Sequence, residues 1–278
     1  MITSTSNTKI KNLSKCMKSA KERRKQGVFL VEGIRMFLEI PHALHVETFA
    51  TEEFFERNQE LFSDISYELV SDHIMESVSD TRTPQGVISL VRQQHYSADE
   101  VCGLIQIKDM PKSAGVKMGL DTVTTDSCPL IVALENLQDP GNLGTILRTA
   151  EGAGVTGILM SRDTVDIYSP KVVRATMGSI FRVPFCYVEN LAEFIGEHKQ
   201  KEFNAYSAHL HGECFYDFNY TNPTIFCIGN EGNGLSEELS NAADYKIKIP
   251  MMGKVESLNA ATASTVLMYE AMRQRNKK

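Results

Sequence analysis

The chain has 278 residues, 42% hydrophobic and 23% charged, with 29 Lys and Arg against 35 Asp and Glu and a formal net charge of −6. This fits two globular domains with a substantial core, and it argues against a uniformly basic nucleic-acid coat while leaving room for a local basic patch. No apolar run reaches the roughly 18–20 residues of a membrane span, the N-terminus has no secretory h-region, and the scattered cysteines (Cys16, Cys102, Cys128, Cys186, Cys214, Cys227) lack metal-like spacing and read as free thiols of a cytoplasmic protein without a metal site.

The first element is basic. Between positions 8 and 25 stand Lys9, Lys11, Lys15, Lys18, Lys21, Arg23, Arg24 and Lys25, with Glu22 as the only acid. Ile10, Leu13 and Met17 give the segment a narrow helical stripe. It is either a solvated helix face or a surface that meets phosphates.

A strand over 28–31 and a helix over 33–40 follow. Then come a strand over 46–50, a helix over 52–60, a strand over 67–70 and a helix over 71–77 capped by Ser71 or Asp72. Thr83-Pro84-Gln85-Gly86 turns into a last strand over 87–91. Residues 1–97 thus read as a small α/β domain. The pattern then weakens, and 98–128 reads as a linker between domains.

From 129 the pattern sharpens. Strands are expected at 130–134, 156–160, 182–188, 204–208, 224–229 and 245–249. Helices are expected at 144–153, from Ser169-Pro170, and at 191–199, 236–241 and 258–275. Alternating strands and helices imply a mainly parallel sheet covered on both faces. Gly152-Ala-Gly154-Val-Thr-Gly157 matches GxGxxG literally. However, it joins a helix end to a strand, and the dinucleotide fingerprint requires the opposite order.

Three segments carry chemistry. In 134–148, a strand end leads through Asp139-Pro140-Gly141-Asn142 into a helix from near Leu143. Asn142 reads as its cap. Arg148 reads either as a snorkelling or salt-bridged residue or as an anion ligand. In 169–184, Lys171, Arg174 and Arg182 surround a capped helix that ends at Gly178. In 226–233, an apolar run stops at Gly229 and a Gly/Asn loop with Glu231 follows. Gly229, Gly232 and Gly234 allow close backbone approach to a ligand. A second apolar run ends at Pro250, and Asn259 opens the last helix. Strand ends of this kind are where open α/β sheets bind ligands.

Taken together, ENLQDPGNLGTILRTAEGAGV, SPKVVRATMGSIFRVP and IGNEGNGLSEEL with IKIPMMGKVESLNAATA resemble the three motifs of the SpoU/TrmH family of RNA ribose 2′-O-methyltransferases, in the SPOUT superfamily. The resemblance covers 129–278. The N-terminal stretch, with IKNLSKCMKSAKERRKQGVFLVEGIRM and TPQGV, resembles the L30e-like substrate-binding domain of many members.

The resemblance implies a parallel α/β domain with a deep trefoil knot, S-adenosylmethionine as cofactor, and a homodimer whose active site draws on both subunits. It places Gly229, Ile249 and Leu258 at cofactor-contacting positions. It places Asn142, Arg148, Glu231 and Asn259 at polar active-site positions. Structured RNA, 23S ribosomal RNA first, is the expected substrate, contacted through Lys21, Arg23, Arg24 and Lys25. A tRNA methyltransferase and a non-catalytic RNA-binding or ribosome-assembly protein are the other readings of the same residues.

Overall fold

The computed structural model describes residues 1–104, 128–199 and 203–276. They gather into two compact units, one of 1–94 with 166–181, the other of 95–104, 128–165 and 182–276. No helix among the described residues is long and apolar enough to cross a membrane.

The first unit opens with α1 (Thr8–Lys18), capped by the Asn7 side chain, and α2 (Ala20–Gln26), capped by Ser19 and ended by Gly27. Ile10, Leu13 and Met17 are buried as the helical stripe requires, joined by Cys16. Next come β1 (Val28–Glu32), α3 (Ile34–Phe37), β2 (His45–Thr51), α4 (Glu52–Arg57), β3 (Tyr67–Val70), α5 (Asp72–Val78) and β4 (Val87–Arg92). The helix expected over 33–40 is only one turn long. Pro41 disfavours helical backbone at Ile40 before it. The sheet order is β1-β4-β2-β3, with β4 antiparallel to both neighbours and β2 parallel to β3. Segment 166–181 belongs to this unit, and its Tyr168 and Phe181 rings pack on Phe29 of β1.

Two of the eight expected surface cations are already paired within the unit, one buried and one exposed. Arg23 is only 4% exposed. Its guanidinium donates to the Cys16 and Met17 carbonyls at 2.7 and 3.1 Å and pairs with Asp166 at 2.6 Å. It therefore leaves the set of expected RNA contacts, because a buried cation paired with Asp166 is out of reach of a phosphate. Lys9 lies between Glu47 and Glu68 at 2.5 and 2.6 Å.

The second unit begins earlier than the expected linker allows. Residues 98–101 form α6 (Ala98–Val101), fastened by a reciprocal Ser97–Glu100 capping box, with Val101 and Cys102 in the core. The expected linker residues 105–127 lie outside the described residues. Then follow β5 (Leu130–Leu134), α7 (Pro140–Gly152), β6 (Gly157–Ser161), α8 (Pro170–Thr176), β7 (Phe185–Val188), α9 (Leu191–His198), β8 (Asn204–Cys214), β9 (Thr224–Ile228), α10 (Glu237–Ala242), β10 (Tyr245–Lys248) and α11 (Ala260–Arg275). Of these, α8 clusters with the first unit. Ser169 holds its N-cap position, but its buried hydroxyl makes no cap bond.

The six strands of this sheet are all parallel, in the order β10-β8-β9-β5-β6-β7. The central strand β5 is apolar throughout and at most 1% exposed. Each such side chain contributes roughly 1.5–3 kcal/mol on burial. From β5 the chain moves to β6 on one side, whereas β9 on its other side leads past β8 to β10. The carboxyl ends of β5 and β9 thus flank a topological switch point, where loops diverge and leave a crevice.

Candidate active site

The loops at that switch point are joined by hydrogen bonds. Helix α7 begins at Pro140, not near Leu143, because Asp139 caps it by accepting from the Asn142 N–H at 2.7 Å. The expected cap role of Asn142 therefore passes to Asp139. The Asn142 side chain is left to bridge two loops. Its Nδ2 donates to Glu231 at 2.9 Å, and its Oδ1 accepts from Asn259 Nδ2 at 2.9 Å. Asn259 meanwhile caps α11, accepting from the Ala261 and Thr262 N–H groups at 2.9 and 3.3 Å. Residues from three segments up to 117 positions apart thus meet in one chain of bonds.

Glu231 is the acceptor at its end. Besides Asn142 it takes the backbone N–H groups of Gln138 and Asp139, each at 3.2 Å. Partial desolvation pushes its carboxyl up. The bonds from Asn142, from its own backbone and from Gln138 and Asp139 outweigh that push and hold it below the usual carboxylate range. Such a group stays ionised at neutral pH and organises donors. It is a weak proton acceptor.

Other polar residues of the crevice, which the sequence reading did not single out as a site, tie its loops together. Asn230 Nδ2 donates to the Asn136 carbonyl at 2.8 Å, and Asn136 exchanges hydrogen bonds with Ser161 at 2.8 and 2.9 Å. Asn136 sits at φ 53°, a left-handed conformation that Asn tolerates better than most residues. Glu135 takes both the N–H and the hydroxyl of Ser236 at 2.7 Å. The one hint in the sequence was an Asn following directly on a strand and an acid.

The close approach at Gly229 is internal. A Cβ there would lie 2.1–2.3 Å from the backbone of Gly234 and Leu235, so the loop folds onto this glycine itself. Asn230 and Gly234 then close the loop by exchanging backbone bonds at 2.9 Å. Ile249 and Leu258 are half-buried and bracket an exposed stretch in which Met252 is fully exposed. They offer apolar side chains at the ends of β10 and before α11. Strand β8 runs between β9 and β10, and its register against β10 jumps between Lys246 and Ile247. Residues 208–212 bulge out there, with His209 and His211 about a projecting Leu210. This bulge beside the crevice lies beyond the expected strand end at 208.

Arg148 does not join the cluster. It lies six residues beyond Asn142 on α7, about 120° around the helix at 100° per residue. It is exposed and has no ion-pair partner among the described residues. Arg174 pairs with Asp80 at 2.9 Å, and Arg182 with Glu151 at 2.5 Å. Lys21, Arg24 and Lys25 are exposed, as are Lys11, Lys15 and Lys18. None of these six has an ion-pair partner among the described residues.

The model of the SpoU rRNA Methylase family matches residues 129–269, and that of the MRM3-like substrate binding domain matches residues 7–89. A 23S rRNA (uridine(2479)-2′-O)-methyltransferase of Streptomyces viridochromogenes is 31% identical, covering 91% of this chain and 85% of that protein. The AdoMet-bound rRNA methyltransferase from Sinorhizobium meliloti superposes with a TM-score of 0.78 at 26% identity, over 98% of this chain and 97% of the other. The SpoU methyltransferase AviRb from Streptomyces viridochromogenes, in complex with AdoMet, superposes with a TM-score of 0.78 at 26% identity, over 98% and 100%.

Proposed function

The chain belongs to the SpoU rRNA methylase family, and from that premise we propose that it transfers the methyl group of S-adenosylmethionine to a ribose 2′-hydroxyl of structured RNA, ribosomal RNA foremost. The observation that carries the reading is the Glu231–Asn142–Asn259 chain at the switch point, which ties three of the crevice segments together.

The crevice suits the cofactor. Its half-buried Ile249 and Leu258 match an apolar nucleoside face, and its irregular backbone offers donors and acceptors. The cofactor, when bound, supplies a methyl already activated on a sulfonium. The protein's task is then to position the ribose and ease the loss of its hydroxyl proton. Glu231 and Asn142 hold the loops in register, and Asn259 fixes the start of α11 beside them. Arg148 is a poor base, since a guanidinium keeps its proton below a pH of about 12. An exposed, unpaired guanidinium is suited to a phosphate next to the target ribose, where it favours the developing oxyanion.

Because Arg148 projects away from the cluster of its own chain, the reading includes a homodimer in which each site takes Arg148 from the other subunit. The deep knot implied by the resemblance belongs to the same reading, as does a cytoplasmic setting. The first unit selects the RNA, with Lys21, Arg24 and Lys25 meeting phosphates.

The test is a map of 2′-O-methylation in total RNA from cells with and without the protein. A ribose of ribosomal RNA that loses its methyl in the deleted strain is the expected result. A lost mark in tRNA would move the substrate, and unchanged ribose methylation would overturn the reading.

A further inference from the structure

One carboxylate of the crevice stands outside the Glu231–Asn142–Asn259 chain and holds a loop by both ends. Glu135 directly follows β5. Its N–H donates to the Ile228 carbonyl at 2.9 Å, at the end of the β5–β9 pairing. Its side chain accepts twice from Ser236, from the N–H at Oε2 and from the hydroxyl at Oε1, each at 2.7 Å. Ile228 and Ser236 flank residues 229–235. The entry and the exit of that loop are therefore fastened to the same residue, although Ser236 is 101 positions away in sequence.

Between these points the loop is internally bonded. Asn230 and Gly234 exchange backbone bonds at 2.9 Å, and Asn230 Oδ1 accepts from the Gly232 and Asn233 N–H groups at 2.8 and 3.1 Å. Gly229 lies against Gly234 and Leu235 with no room for a Cβ. Ser236 is the anchor next to Gly234 and Leu235, and so it holds them against Gly229. Its hydroxyl donates to Glu135 and accepts from the Leu239 N–H at 3.1 Å, which fixes its orientation from two sides. A carboxylate that takes two donors at once sets geometry as well as adding energy. Glu135 is half-buried and Ser236 exposed, whereas β5 and β9 are apolar and buried throughout. Loss of the pair frees the loop and leaves the sheet.

We propose that Glu135 is a positioning residue for S-adenosylmethionine: through Ser236 it holds 229–235, and with it the expected cofactor position Gly229, in the binding arrangement before the cofactor arrives. The inference rests on the reading of the protein as an S-adenosylmethionine-dependent methyltransferase. It gives Glu135 no contact with the reacting atoms. A loop ordered in advance raises affinity because binding no longer has to order it. Glu231, in the same loop, keeps its own donors from Asn142, Gln138 and Asp139. The effect of Glu135 therefore falls on cofactor binding and not on the chemical step.

The experiment measures S-adenosylmethionine binding to the full-length protein by calorimetry, well below the unfolding midpoint, for Glu135→Gln, Ser236→Ala and the double variant. A Gln side chain keeps the size of Glu but turns an N–H toward one of the two Ser236 donors. Glu135→Gln should weaken binding about tenfold. In the Ser236→Ala background one donor is gone and the Gln oxygen serves the other, so the same substitution should cost about twofold or less. In methyl transfer, the loss should appear in KM for S-adenosylmethionine and not in kcat or in KM for RNA. An equal tenfold cost in both backgrounds would mean that Glu135 acts other than through Ser236. Parental affinity, or a fall in kcat with affinity intact, would mean that it does not position the cofactor. Each of these results overturns the proposal. Hydrogen exchange without cofactor is the second readout. The amides of 229–236 should exchange about tenfold faster in Glu135→Gln, with those of β5 unchanged, and parental exchange across 229–236 likewise overturns the proposal. If the parent protein binds no S-adenosylmethionine, the functional reading fails, and the exchange arm decides the clamp alone: faster exchange keeps it and parental exchange removes it.

Discussion

Arg23 and Arg24 are adjacent in sequence and opposite in role, which makes their exchange for alanine a sharp test. Arg23 is 4% exposed and donates to two main-chain carbonyls and to Asp166. Arg23→Ala leaves the carbonyls of Cys16 and Met17 without these donors and Asp166 without its cation. Breaking a buried pair by removing one partner costs about 3–5 kcal/mol. The Asp166 side chain is 28% exposed and keeps some water, which places the loss near the lower end, about 3 kcal/mol. That corresponds to roughly a hundredfold fall in hydrogen-exchange protection of the α1 and α2 amides.

Arg24→Ala should leave protection unchanged, because an exposed residue with no partner among those described costs at most about 0.5 kcal/mol. It should instead weaken RNA binding, and the slope of log affinity against log salt should fall by about 0.7–0.9, one phosphate contact. Hydrogen exchange read by mass spectrometry and RNA binding read by fluorescence anisotropy between 50 and 200 mM KCl (about the range over which such slopes are measured) separate the two effects. Intact α1 and α2 protection in Arg23→Ala, combined with a reduced salt slope, would refute the assignment of Arg23 to the fold.

Three further outcomes are expected. Arg148→Ala should bind S-adenosylmethionine as the parent does by calorimetry, yet lose about 10²–10³-fold in methyl transfer; parental turnover would remove Arg148 from the mechanism. Gly229→Ala puts a methyl 2.1–2.3 Å from the Gly234 and Leu235 backbone, so the loop must shift and cofactor affinity should fall at least about tenfold, an effect of roughly 1.4 kcal/mol or more. Burial, followed by nearby His42, lowers the His45 pKa to about 4 from its usual 6.5. A His held neutral by the fold contributes stability above its unfolded pKa and loses it as pH falls through the folded one. The first unit should therefore weaken as pH falls from 6.5 toward 4, and His45→Phe should flatten that dependence in urea titrations.

Much of the architecture was legible from local pattern. The apolar run Leu130–Leu134 could only be a buried strand, and it is one. The helix-then-strand order around Gly152 and Gly157 dismissed a dinucleotide site, and α7 does end at Gly152 with β6 starting at Gly157. Boundaries went astray where a distant contact decides. The sequence puts the cap of the 139–143 junction at Asn142, whereas Asp139 holds that place and the Asn142 side chain bonds to Glu231 and Asn259 instead. Residues 98–104 read as linker in the sequence because so short a helix has little periodicity, and only the second core explains its order.

Composition and periodicity by themselves determined a two-part α/β protein with a parallel sheet, and the three motifs determined its family. Those are consequences of local spacing, which a sequence displays directly. Which cations remain available and which acid orders the crevice were decided only in three dimensions. The availability of a charge depends on what the fold places beside it: Asp166 stands 143 positions from Arg23, and Asn259 stands 117 from Asn142.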